Sequence, residues 1–126
     1  MMRGACLGLA LFVATPAALA CELPGGKAQT LRSGGHTVVY RSAPPRIGEH
    51  FAVEFAVCPA PESVRVDAWM PEHRHGMNYR AKVSPQGDGR FLAEGLMFHM
   101  PGRWQFVFDV ESGGKRQRLT KDVVVE

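Results

Sequence analysis

The chain has 126 residues, a formal net charge of +3 at pH 7, and 21% charged and 45% hydrophobic side chains, the length and composition of one globular domain. So small a charge steers partners weakly, and no basic stripe is interleaved with aromatics, which sets nucleic acid aside. Ser84, Ser112 and Thr120 lack a nucleophile motif of the Gly-x-Ser-x-Gly kind, so an enzyme is not expected.

Residues 1–20 read as a secretory signal peptide. Arg3 precedes an uncharged apolar run from Ala5 to Val13, then Thr15-Pro16 and Ala18-Leu19-Ala20, with small residues where a signal peptidase reads. The run is too short to span a membrane, which takes about 20 apolar residues. Cleavage after Ala20 would leave residues 21–126 as a single β-sandwich domain secreted to the periplasm, not transmembrane. Loss of Arg3 would lower the charge from +3 to +2.

Cys6 leaves with the signal, so Cys21 and Cys58 remain in an oxidising compartment, where thiols pair. A disulfide between them would tie the mature N-terminus to the strand ending at Cys58. The alternative makes Cys21 a lipidated anchor. Against it, Ala18 stands where such signals usually have Leu, and lipidation would leave Cys58 alone.

Beyond the signal, no stretch keeps a helical period. Short runs rich in Val, Phe and Ala recur, each bounded by Gly or Pro, which is an all-β pattern. Residues 22–35 read as an extended lead-in and His36–Tyr40 as the first clear strand. Phe51, Val53, Phe55 and Val57 alternate with small or charged residues up to Cys58, and Val64, Val66 and Ala68 alternate after the Pro59 and Pro61 connection. Met77–Val83 and Phe91–Met100 follow, separated by the turn Gln86-Gly-Asp-Gly89. Trp104–Val110 and Arg116–Val125 close the chain across Ser112-Gly-Gly114. About seven strands in two antiparallel sheets make an immunoglobulin-like sandwich the expected fold.

The turn at Gln86–Gly89 predicts which residues face one another. A four-residue loop sets Tyr79 opposite Leu96, Met77 opposite Phe98 and His75 opposite Met100; a two-residue Asp88-Gly89 loop sets Tyr79 opposite Phe98 and Met77 opposite Met100. Either register puts Tyr79, Ala81 and Val83 on a core face with Leu92, Leu96 and Phe98, and lines its mouth with His75, Met77 and Met100. His73 shares their parity if the strand extends that far. His99 has the opposite parity and joins them only if the strand bulges or unwinds before Pro101-Gly102.

This set is imidazole and thioether without a free thiolate, which makes copper the first choice. Zinc is second, since Glu72 is the only nearby carboxylate. Against a metal, paired histidines in turns are common, and Met70, Met97 and Met100 serve equally as core filler. His36 and His50, without local partners, read as surface residues, Trp69 and Trp104 as core, and Arg74 and Arg103 as solvated.

Met70-Pro-Glu-His-Arg-His-Gly-Met77, followed by Gly95-Leu-Met-Phe-His-Met-Pro-Gly-Arg-Trp104, resembles the YtkA-like domains of bacterial envelope proteins, over roughly Pro45 to Val110. The resemblance implies a small immunoglobulin-like sandwich and a metal role for His73, His75, Met77, His99 and Met100, with Cu(I) or Cu(II) as the ion. It implies partners among envelope copper-handling, metal-efflux or cytochrome oxidase assembly proteins. Two functions stay open: a copper chaperone or buffer, and a metal-free interaction module that docks on an envelope partner.

Overall fold

The computed structural model describes residues 21–126; the expected signal peptide, 1–20, lies outside the described residues. Among the described residues nine strands form two antiparallel sheets. In chain order they are β1 (Gln29–Ser33), β2 (His36–Ser42), β3 (His50–Cys58), β4 (Ser63–Met70), β5 (His75–Gly76), β6 (Lys82–Gly87), β7 (Arg90–Met97), β8 (Gly102–Ser112) and β9 (Lys115–Val125). One sheet runs β1-β2-β3-β7-β6 and the other β5-β4-β8-β9, which is the expected β-sandwich. The count exceeds seven because β1 and the two-residue β5 do not stand out in the sequence.

Alternation decides the core. Val53, Phe55 and Val57 of β3 face Val64, Val66 and Ala68 of β4 and Phe106, Phe108 and Val110 of β8, all buried. Alternate residues of a strand point to opposite faces, so these runs bury one side of each sheet. Trp104, 0% exposed, joins this core as expected, whereas Trp69 of β4 is 42% exposed. It lies between inward-facing Ala68 and Met70 in the alternation, and therefore points outward.

β1 falls within the expected lead-in. Its residues are almost all exposed, so no apolar face marks it. It pairs with β2 through Gly34-Gly35, both at positive φ, where glycine adopts the tight two-residue turn without steric cost.

The β6–β7 hairpin corrects both expected registers. Asp88 and Gly89 form the tip, and Gly87 faces Arg90, but a bulge then shifts the pairing to Val83 opposite Ala93 and Lys82 opposite Glu94. A second irregularity in the pairing of β3 with β7, together with Gly95 at φ 83°, lets Ala93 and Leu96 both point inward. Each bulge inserts one residue and reverses facing beyond it. Leu92 consequently pairs with Glu54 and Ser84 rather than joining the core. The stretch from Met77 to Ala81 is not a strand, and Tyr79 is 44% exposed; it crosses from one sheet to the other.

Cys21 and Cys58 are joined by a disulfide, with Cα atoms 5.6 Å apart. Such a bond persists in oxidising compartments, which places the folded chain outside the cytoplasm. Among the described residues no helix is long and apolar enough to cross a membrane. Cys58 is opposite Thr37 at the start of β2, at the end of the sandwich remote from the C-terminal ends of β4 and β7.

Candidate metal site

Two crossings between the sheets meet where β4 and β7 end. The first begins with a tight turn, Pro71–Arg74, closed by the His73 amide donating to the Met70 carbonyl at 3.2 Å. Arg74 has φ 53°, so the chain reverses at once and His75 lies directly opposite Met70 across β4 and β5. The second crossing is Phe98–Pro101. β7 ends at Met97, and the Trp104 indole N–H donates to the Met100 carbonyl at 3.0 Å, fixing the loop against the core.

This geometry gathers three histidines in a row. Ring centroids are 5.7 Å apart for His73 and His75 and 5.1 Å for His75 and His99. Both His75 and His99 stand edge-on to Trp104, at 5.7 and 5.4 Å. Trp104 packs on Phe98 at 4.9 Å, so the histidine rim rests on a rigid aromatic floor.

The loops bring together the expected histidines, but by a different route. His75 faces Met70 and not Met100, and His73 and Arg74 lie in a turn and not on an extended strand. His99 joins because the strand has unwound before Pro101, one of the two irregularities, bulge or unwinding, under which the sequence admits it. Met77 packs against the core and lines a cleft with Trp69 and Gly76. Met100 also packs against the core. Trp104, expected only as core, is the floor that orients the rim.

Hydrogen bonding at the two central rings is uneven. His75 Nδ1 lies 3.0 Å from the Gly76 carbonyl; an N–H donated there leaves Nε2 with a free lone pair, the arrangement in which a ligating imidazole is held by its other nitrogen. His99 Nδ1 is buried and has no hydrogen-bond partner among the described residues. A buried polar nitrogen left unpaired is unfavourable by about 1–3 kcal/mol, and such an exception calls for a partner of some kind. Two imidazoles on one ion, each nitrogen about 2.0 Å from it, hold their centroids roughly 5 Å apart at a tetrahedral angle. The His75–His99 separation agrees with that value.

The donor set has limits. Among the described residues, no three His, Cys, Asp or Glu side chains are grouped to hold one metal ion. Glu72 lies 3.6 Å from the Arg103 guanidinium, which also pairs with Asp122 at 3.2 Å. A hydrogen bond from Gln105, reinforced by Arg103, holds the Asp122 carboxyl below the usual carboxylate range. The carboxylate nearest the rim is thus engaged with a cation.

Of the remaining histidines, His50 is exposed, as expected, with Tyr79 edge-on at 4.9 Å. His36 is not a free surface residue. Its Nδ1 lies 2.7 Å from Gln117 Oε1 and its Nε2 3.4 Å from the Ser112 hydroxyl, a bridge between sheets that only tertiary pairing reveals.

Residues 56–108 match the family model described as YtkA-like. Over that span the chain is similar to YtkA-like domains. The matched span runs from the end of β3 into β8 and contains both loops of the histidine rim. No curated protein and no solved structure matches the chain.

Proposed function

We propose that this chain is a periplasmic copper-binding protein, a chaperone or buffer, that takes one copper ion at the rim of His73, His75 and His99. The observation that carries the reading is the His75–His99 pair, 5.1 Å apart, with His75 Nδ1 engaged by the backbone and His99 Nδ1 buried without a partner. His75 and His99 would supply the first two nitrogens. His73, next in the row, and the thioethers of Met77 or Met100 would complete the set, His73 and Met77 by local rearrangement of their loop. Imidazole with thioether suits Cu(I) better than zinc, and Glu72, the carboxylate a zinc site could use, is held by Arg103.

A bound copper ion would bring soft Lewis acidity and one-electron redox capacity, and the residues around it are imidazole and thioether ligands. They suit holding and handing on an ion. The turn carrying His73 is exposed and short and His75 is half-buried, so a partner can reach the rim, while Trp104 fixes the side facing the core. Equilibrium dialysis of the protein against Cu(I) and Cu(II), beside His75→Ala/His99→Ala, tests the proposal. Saturable binding by the parent and its loss in the variant support it; equal, weak binding by both refutes it.

A further inference from the structure

A cleft of about 580 Å³ opens along one side of the sandwich, between the β4 edge and the segment from Met77 to Val83. Its wall on the β4 side runs from Val64 to Trp69, and here β4 has no neighbour among the described residues, because β5 covers only Trp69 and Met70. The edge carries no proline or bulge, and its register with β8 is unbroken from Ser63 to Trp69.

Which backbone groups this edge offers follows from the hairpin on the far side of β8. Gly113-Gly114 makes a two-residue turn, so Ser112 and Lys115 exchange both hydrogen bonds. The even-numbered residues of β8 therefore bond to β9 and the odd-numbered ones to β4. With Arg65 opposite Asp109 and Asp67 opposite Val107, the N–H and C=O of Val64, Val66 and Ala68 point into the cleft. The Ala68 N–H is taken by Asp67 Oδ1 at 2.8 Å, and Gly76 lies against the Ala68 carbonyl. Val64 and Val66 are left with two donors and two acceptors facing outward, a template for one added strand.

We infer that the cleft binds an extended peptide segment of a partner, as a strand added to β4, with apolar side chains on either side of an acidic one. Residues opposite Val64 and Val66 share their inward face, against Ala81 and Val83, and must be apolar. The residue between them faces outward beside Arg65. Charge sets its sign: of the two cleft carboxylates, Asp109 has both oxygens taken by Arg118, at 2.8 and 2.9 Å, and Asp67 turns Oδ1 back onto the Ala68 N–H, whereas Arg65 and Arg80 form no ion pair among the described residues. Exposed Trp69 and Tyr79 cap the cleft. Five residues along Ser63–Asp67 span roughly 17 Å. A second copy of the chain fits less well, because its own β5 would meet Ser63.

The test is an NMR titration of the isotope-labelled protein with the acetylated, amidated peptide Thr-Val-Glu-Val-Thr and with its counterpart bearing Lys in place of Glu. The Val64 and Val66 amides should shift and their hydrogen exchange slow with the Glu peptide. The Lys peptide should bind about tenfold more weakly, and Arg65→Glu, or Arg80→Glu in a second variant, should reverse that preference. Absence of shifts at both amides up to about 1 mM peptide overturns the inference. So does equal binding of the two peptides, or concentration-dependent dimerisation that protects the same amides and excludes the peptide.

Discussion

His75 and His99 come from different crossings between the sheets, yet their rings lie 5.1 Å apart and both stand edge-on to Trp104. Neither strand parity nor a shared hairpin joins them. They meet because β4 ends in a turn of four residues and β7 stops at Met97, so both chains reverse over the same indole.

A buried nitrogen without a partner lowers stability when it serves only the fold. Replacing His99 by Leu removes that nitrogen and keeps apolar bulk over Trp104, so His99→Leu should leave the metal-free protein as stable as the parent or raise stability by about 1 kcal/mol. The same variant should lose copper. Urea midpoints with and without copper check both, and a loss of several kcal/mol without metal would mark His99 as structural.

Gly102 opens β8 with φ 132°, and a Cβ there would run into the terminal methyl of Met70. Met70 is 1% exposed and lies opposite His75, so it has little room to yield. Gly102→Ala should destabilise the fold by about 1–3 kcal/mol and weaken copper binding by displacing His75. Thermal unfolding and dialysis of one preparation measure both effects.

The disulfide closes a loop of sequence separation 37 at the end of the sandwich remote from the rim. Cys21→Ser/Cys58→Ser should reduce stability by about 3 to 4 kcal/mol in the chain-entropy view. Copper affinity of the folded fraction should not change. Denaturant titration and dialysis at a temperature where the variant remains folded separate the two effects.

Asp109 accepts two hydrogen bonds from Arg118, and these, with the charge of that guanidinium, hold its carboxyl below the usual range. A depressed carboxylate contributes stability that is present above its unfolded value, about 3.9, and is lost as pH falls through the folded one. The stability difference between the parent and Asp109→Asn should therefore be constant above about pH 5 and shrink below about pH 4. Urea midpoints from neutral to acidic pH test it; a difference that grows on acidification contradicts the assignment.

The sandwich was legible where a strand buries one face only. Val53, Phe55 and Val57, and then Val64, Val66 and Ala68, announce their strands by period two, and the Gly113-Gly114 turn fixes the last hairpin. Illegible parts have identifiable causes. Gln29–Ser33 is exposed on nearly every residue, so pairing with β2 alone marks it as a strand. The hairpin register failed because two bulges each reverse parity; of their sequence signals, Gly95 inside an apolar run was the readable one. The histidines were legible as a group and their route together was not. β5 is two residues long, and its partner in β4 cannot be read from spacing.

On the proposed function, the His73–His75–His99 rim binds one copper ion. Competition of the protein with a chromophoric Cu(I) chelator, for the parent, His75→Ala, His99→Ala and the control His36→Ala/His50→Ala, tests it most directly. One equivalent bound by the parent and by the control, with affinity lowered at least tenfold in each rim variant, is the predicted result. Binding that survives in both rim variants, or that falls in the control, would contradict it.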